Sequence, residues 1–190
     1  MGRSTLGARM NNIELANILV TRPDPSEAAD YYFNYIRLVP AGNICDILAA
    51  QCDSLVAFFG GITVLQSKRT YQPGKWSIAD TLSHVIDAER LFVFRAWWFA
   101  RGFDAPLPSF DQEVAANAAR ASERPWSTHV EHFHVVRSAT VAFFKSLPSE
   151  AWLRRGIASG HPFSVRALAH VVAGHAIHHT RVVQERYLAS

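Results

Sequence analysis

The segment AHVVAGHAIHHTRVVQERY, Ala169–Tyr187, carries His170, His175, His178 and His179, four of the chain's nine histidines, among valines and alanines. Advancing a helix by about 100° per residue from His175 brings Leu168, Val171, Val172, Val182 and Val183 onto one face. His179 then lies about 40° away, inside that apolar arc. Positions i and i+4 are neighbours on successive turns, so the two imidazoles can converge on one ion at about 2.0–2.1 Å. His178 falls at the edge of the arc and His170 further round. An H-x-x-x-H pair is common, and the plain alternative is one core histidine bonded to a carbonyl beside a partly exposed one. Against it stands the cost of unpaired polar groups among valines, which a bound cation would remove. Ala176 follows His175 where a zincin carries glutamate. A catalytic base would therefore come from elsewhere or be a metal-held hydroxide, and a third protein ligand is needed.

His84, in KWSIADTLSHVIDAER, is the one histidine on the preceding strongly amphipathic segment. It falls on the flank of a face marked by Ile78, Leu82, Val85 and Phe92, where it meets either a neighbouring helix across a bundle seam or solvent beside Asp87. His129, His132 and His134 cannot all share a helical face. His134 borders the stripe of Val130, Phe133, Val141 and Phe144, and the other two are expected to meet solvent. His161 lies in a Gly/Pro-flanked stretch and is read as exposed. Two charges fall on apolar faces, Glu89 and Arg137. Each is either a snorkelling or paired side chain or a functional group: Glu89 a proton-transfer or supporting residue, Arg137 an anchor for an anionic substrate.

These residues need helices to hold them. A short helix is expected at about Ser26–Ile36. A long helix follows at about Asn43–Phe59, with Asn43 as cap and Gly60-Gly61 as stop. ITVLQSKRTYQPGK reads as a loop. The second long helix runs from about Ser77, with Asp80 completing a capping pattern, to Arg101 before Gly102. A Pro-rich turn and a polar helix over Asp111–Ala121 lead to a third long helix at about Pro125–Leu147. PSEAW is one turn, GIASGHPF a loop, and Ser164–Leu188 the fourth long helix. Trp76 is expected to pack at the start of the second helix, and Gly174 to allow close helix approach. The fold expected is all-α, a four-helix bundle with a long, partly helical crossover, which is an architecture that builds metal sites from facing side chains. Residues 1–21 are read as an N-terminal extension to a single domain over 22–190, with Met10 as an alternative start.

Composition narrows the function. An apolar share of 49% with only 18% charged residues points to a deep core, a subunit interface or both. A net charge of +3 from scattered lysines and arginines gives no footprint for nucleic acid. There is no long apolar run for a membrane span, nor a signal-peptide pattern at the N-terminus. Cys45 and Cys52, seven positions apart on one helix face, are too far apart to bridge. Reduced thiols fit a cytoplasmic protein.

YQPGKWSIADTLSHVIDAER and GHAIHHTRVVQERY, together with RPDPSEAADYYFNYIRLVP and VRSATVAFFKSLPSEAW in the same order, resemble the DinB/YfiT-like family of metalloenzymes over about Arg22 to Tyr187. The resemblance implies a four-helix bundle, homodimeric as a rule, and a divalent ion on three histidines. His84 matches the ligand from the second helix, and His175 and His179 match the pair from the fourth. His178 matches a position beside the last ligand that does not coordinate. An imidazole shell suits several transition metals, and zinc or nickel is expected. Relatives either transfer low-molecular-weight thiols to small electrophiles or are described as hydrolases. The function expected is therefore a metal-dependent hydrolase or thiol S-transferase acting on a small-molecule substrate. The rival is a non-catalytic metal-binding or stress-associated bundle protein, for which a closed site with a fourth ligand such as His134 would speak.

Overall fold

The computed structural model describes residues 12–189, so Met10 and most of the N-terminal extension lie outside the described residues. The chain is mostly helical: α1 (Asn12–Val20), α2 (Phe33–Ile36), α3 (Ile44–Gly60), α4 (Val64–Ser67), α5 (Ile78–Ala100), α6 (Gln112–Ala119), α7 (Trp126–Lys145) and α8 (Val165–Val182). The four long helices α3, α5, α7 and α8 make the bundle. α5 lies against α8 and α7, α3 against α7 and α8, and short α2 rides over α8. Ile18 of α1 is buried in the same core.

Local chemistry sets the helix starts. The Asn43 side chain accepts from the Cys45 amide at α3. Ser77 and Asp80 form a reciprocal capping box at α5, and Ser164 accepts from the Ala167 amide at α8. Each satisfies an amide that the first turn leaves without a partner. Gly102 at φ 84° ends α5, a left-handed geometry that glycine adopts without strain. Cys45 and Cys52 are buried free thiols.

The structure departs from sequence expectation in two connections and at the end of the last helix. ITVLQSKRTYQPGK is not all loop: Thr63 and Gln66 form a capping box and start α4. GIASGHPF is an antiparallel hairpin of β1 (Arg155–Ala158) and β2 (His161–Ser164), with Ala158 opposite His161. Its two-residue turn, Ser159-Gly160, has positive φ at both positions, 53° and 76°, which matches the twist of a tight hairpin. Gly156 is obligatory there, because a methyl group would fall 2.0 Å from the Phe99 ring. The last helix is also not uniform, since α8 widens into a π-helical turn over Val183–Leu188. That turn brings the Tyr187 hydroxyl within 2.8 Å of the Trp76 carbonyl, to which it donates.

α8 is the helix most enclosed by its neighbours. Ala167, Leu168, Ala169, Val171 and Ala173 are completely buried. Gly174 has the role expected of it: a Cβ there would sit 2.1 Å from the Tyr35 carbonyl oxygen, so α2 can cross α8 only over a glycine. This crossing lays the Tyr35 ring edge-on to His175, 5.2 Å between centroids. No helix among the described residues is long and apolar enough to cross a membrane.

Candidate metal centre

His84 from the second turn of α5 and His175 and His179 from α8 meet in the bundle interior. His175 Nε2 lies 3.2 Å from His84 Nε2 and 3.1 Å from His179 Nε2. The three donor atoms all fall within 4.8 Å of one another, and among the described residues no other His, Cys, Asp or Glu joins the group. Trp76 tilts over the His84 ring at 4.9 Å, and Phe92 and Tyr35 stand edge-on to His175. These aromatic walls fix the ring orientations.

Burial holds the three imidazoles neutral. It pushes His84 down to about 4. Burial, followed by the fields of His84 and His178, pushes His179 down to about 3. His175 lies well below the ordinary histidine value, through burial first and then its histidine neighbours. A neutral ring nitrogen carries either one proton or one lone pair, so His175 Nε2 can serve only one of its two close contacts as a good hydrogen bond. A cation serves all three nitrogens at once. Two ligands at about 2.0–2.1 Å from an ion, at angles between octahedral and tetrahedral, stand about 2.8–3.4 Å apart, and both short Nε2–Nε2 distances fall in that range. The donor set fits a divalent transition metal held on one side.

Next to this group runs a buried polar chain that touches all four long helices. Arg137 on α7 donates through Nε and Nη2 to the two carboxylate oxygens of Glu89 on α5, both at 2.8 Å. Its Nη1 donates to Gln51 Oε1 on α3 at 2.7 Å, and Gln51 Nε2 donates to the Ala173 carbonyl on α8 at 3.3 Å. Glu89 and Arg137, singled out separately on their helices, are thus partners, and Arg137 is wholly enclosed.

Two cavities open on the histidine group. The larger, about 410 Å³, reaches His179 and His178 past Tyr71, Lys75, Trp76 and Arg186. The smaller, about 150 Å³, reaches His84 and His175 past Tyr32, Tyr35, Phe92, Arg95 and Ser159. Gln112, the first residue of α6, lines both, which gives the crossover a place at the site.

The remaining histidines stand elsewhere. His178 lines the larger cavity beside the group. His170 is buried and faces the Arg166 carbonyl through Nδ1 at 3.0 Å. His129 is not in solvent as expected: it is 1% exposed, with Nε2 2.9 Å from the Ala121 carbonyl, because the turn Ala121–Glu123 folds back over the start of α7. His132 meets Arg90. His134 is exposed and borders a groove with Val56 and Trp126. Sequence reasoning missed Arg95, although its eleven-position offset from His84 returns it to within about 20° of the same face.

The DinB superfamily profile matches residues 47–183, and the chain belongs to that superfamily. Among solved structures, the fold is similar to that of YfiT from Bacillus subtilis, described as a probable metal-dependent hydrolase with an unusual four-helix bundle topology. The TM-score is 0.64 at 13% sequence identity, over 89% of this chain and 95% of that one. No curated protein matches the chain in sequence.

Two predictions follow from the burial of these groups. Glu89→Gln leaves the Arg137 charge enclosed without a counter-charge and lowers the unfolding free energy by about 3–5 kcal/mol in urea titration. Replacing both residues by leucine and methionine costs less than the sum of the single changes. Losses that simply add would show that the two are not coupled. The second prediction concerns His170, which burial lowers to about 4 while the Arg166 carbonyl opposes the shift. Its folded value is below its unfolded value of about 6.5, so its stabilising contribution is complete above pH 6.5 and is lost as pH falls towards 4. Each such proton steepens the decline by up to about 1.4 kcal/mol per pH unit. His170→Gln should flatten the stability profile in that window relative to wild type, and an unchanged slope would contradict the assignment.

Proposed function

We propose that this chain is a divalent-metal-dependent enzyme acting on a small molecule, with His84, His175 and His179 as the metal ligands and zinc or nickel as the ion. The observation that carries the reading is the convergence of the three Nε2 atoms where two separate cavities meet. A divalent ion held there supplies Lewis acidity, which polarises a substrate oxygen and lowers the pKa of a water or thiol at its open side. A non-catalytic metal-binding protein would favour a closed site. Here the side of the trio away from the helix cores is cavity, and His134 stands exposed rather than beside the group.

Of the two chemistries open to such a centre, the two cavities favour transfer of a low-molecular-weight thiol. A hydrolase needs room for one organic substrate and a water. Here the larger cavity offers Lys75 and Arg186 to an anionic tail beside His179, and the smaller gives separate access to His84 and His175. The hydrolase reading keeps its support from the description of the YfiT fold relative. In either case Glu89 and Arg137 act by holding α5, α7 and α3 around the centre, since each occupies the other's charge. Gln112, shared by both cavities, is suited to cover the reacting groups.

The test begins with elemental analysis of tag-free protein beside His179→Ala. Near one equivalent of a transition metal in wild type, reduced at least about tenfold in the variant, is expected, because removing a ligand weakens a site that has only three protein ligands. Wild type that neither carries nor takes up zinc or nickel would sink the metal reading. Consumption of a model electrophile is then followed with and without added thiols. Thiol-dependent consumption favours transfer, and equal rates with every thiol favour hydrolysis.

The same reading includes a cytoplasmic homodimer. The apolar surface formed by Phe94, Trp97 and Phe103, each more than a third exposed and mutually packed, supports it. Light scattering should give twice the 21.2 kDa chain mass, and a monomer at micromolar concentration would refute the dimer.

A further inference from the structure

The two arginines that are buried among the described residues differ in what neutralises them. Arg137 is held by Glu89 on two nitrogens and by Gln51 on the third. Arg95, 2% exposed, has no carboxylate within ion-pair distance among the described residues. Its Nη2 donates to the Pro108 carbonyl at 2.9 Å and to Ser159 Oγ at 2.7 Å. Its Nε is buried and donates to nothing among the described residues. A guanidinium so placed is missing a counter-charge, and enclosed charges are ordinarily paired.

The missing partner has a place to sit. Arg95 lines the smaller cavity, whose lining also includes the hydroxyl-bearing Tyr31, Tyr32, Tyr35 and Ser159, the amide of Gln112, the apolar Ala88 and Phe92, and the rings of His84 and His175. No carboxylate and no second cationic side chain borders it. Ser159 reaches Arg95 from the tip of the β1–β2 hairpin, at a left-handed φ of 53°. Its amide donates to the Leu107 carbonyl at 3.0 Å, so the hairpin tip is pinned against the crossover.

We infer that this cavity receives the carboxylate of a small carboxylic-acid substrate on Arg95, with the reacting end of that substrate turned towards His84 and His175. The inference rests on the metal-site reading for its second half only. One guanidinium flanked by hydroxyls suits a planar monoanion, because it offers charge and directed donors together. A phosphate would call for a second cation. Arg95 follows His84 by about 16 Å along the helix axis, and its side chain, directed back towards the helix N-terminus, spans part of that distance. Ala88 and Phe92 fill the interval, so the substrate carries an apolar middle between its two ends. A cavity of about 150 Å³ takes a molecule of roughly benzene size. An acid with a short chain or one ring fits.

Calorimetric titration with benzoate and with its neutral counterpart benzamide tests this on metal-loaded wild type, Arg95→Gln and Arg95→Lys, with metal content measured on each sample. Benzoate should bind wild type at least about tenfold more tightly than benzamide, the difference a charge-assisted bond makes. Arg95→Gln should abolish that preference and Arg95→Lys should keep part of it, at unchanged metal content. A preference that survives Arg95→Gln would put the carboxylate on the metal and overturn the inference. Chelator-treated wild type decides the matter without any variant. Benzoate preference retained there supports the Arg95 subsite even if the trio proves unable to take up metal, and its absence there overturns the subsite while leaving the metal reading intact.

Discussion

The centre of this protein depends on one enclosed ion pair. Arg137 and Glu89 are 0% and 2% exposed, and their two parallel hydrogen bonds join α7 to α5 where the helices face the histidines. Two desolvated charges add little net stability to a fold, but removing either leaves the other uncompensated. What the pair contributes is a fixed relation between helices. Through Gln51 the same guanidinium reaches α3, and through the Ala173 carbonyl the chain of bonds ends on α8, two residues before His175. Axial sliding of any one helix would break a buried polar contact. The bundle thus has its register set at the level where the imidazoles must meet.

On that frame the trio is assembled by contributions of different kinds. α8 supplies two rings four residues apart, a separation that any helix provides. α5 supplies the third at a height set by Glu89, slightly more than one turn further on. Gly174 lets α2 approach closely enough for Tyr35 to wall His175, and the final π-helical turn lets Tyr187 tie the lead-in of α5, at Trp76, to the end of α8. Neutral, convergent imidazoles beside two cavities are poorly served by one another and well served by a cation. Under the proposed metal reading, the rings already converge before an ion is bound.

Much of this was legible in the sequence, and what was not has physical causes. The four long helices followed from periodicity and caps. The trio followed from one apolar arc and a resemblance that carried His84, whose own wheel position left two readings open. The hairpin was missed because Arg155–Ser164 is short and Gly/Pro-interrupted, and only the packing of Ala158 and Phe163 into the core makes it a strand pair. His129 was assigned to solvent because a helical wheel cannot know that Ala121–Glu123 folds over it. Glu89 and Arg137 each stood out on an apolar face, yet their partnership lies between helices and only the tertiary structure reveals it.

That partnership changes where charge is available. Read helix by helix, Arg137 is the obvious cation for an anionic substrate, and Arg95 passes as one more residue of an aromatic-rich helix. In the folded protein the roles exchange, because Glu89 and Gln51 saturate Arg137 while Arg95 faces a cavity with hydroxyls and no carboxylate. Lys75 and Arg186 line the larger cavity, beside His178 and His179. The three imidazoles are themselves neutral, so the fixed positive charge around them lies on these arginine and lysine side chains, and it is there that the two cavities attract anionic groups. Under the proposed reading, the placement of Arg95 at one cavity and of Lys75 and Arg186 at the other sets where the anionic groups of a substrate are held.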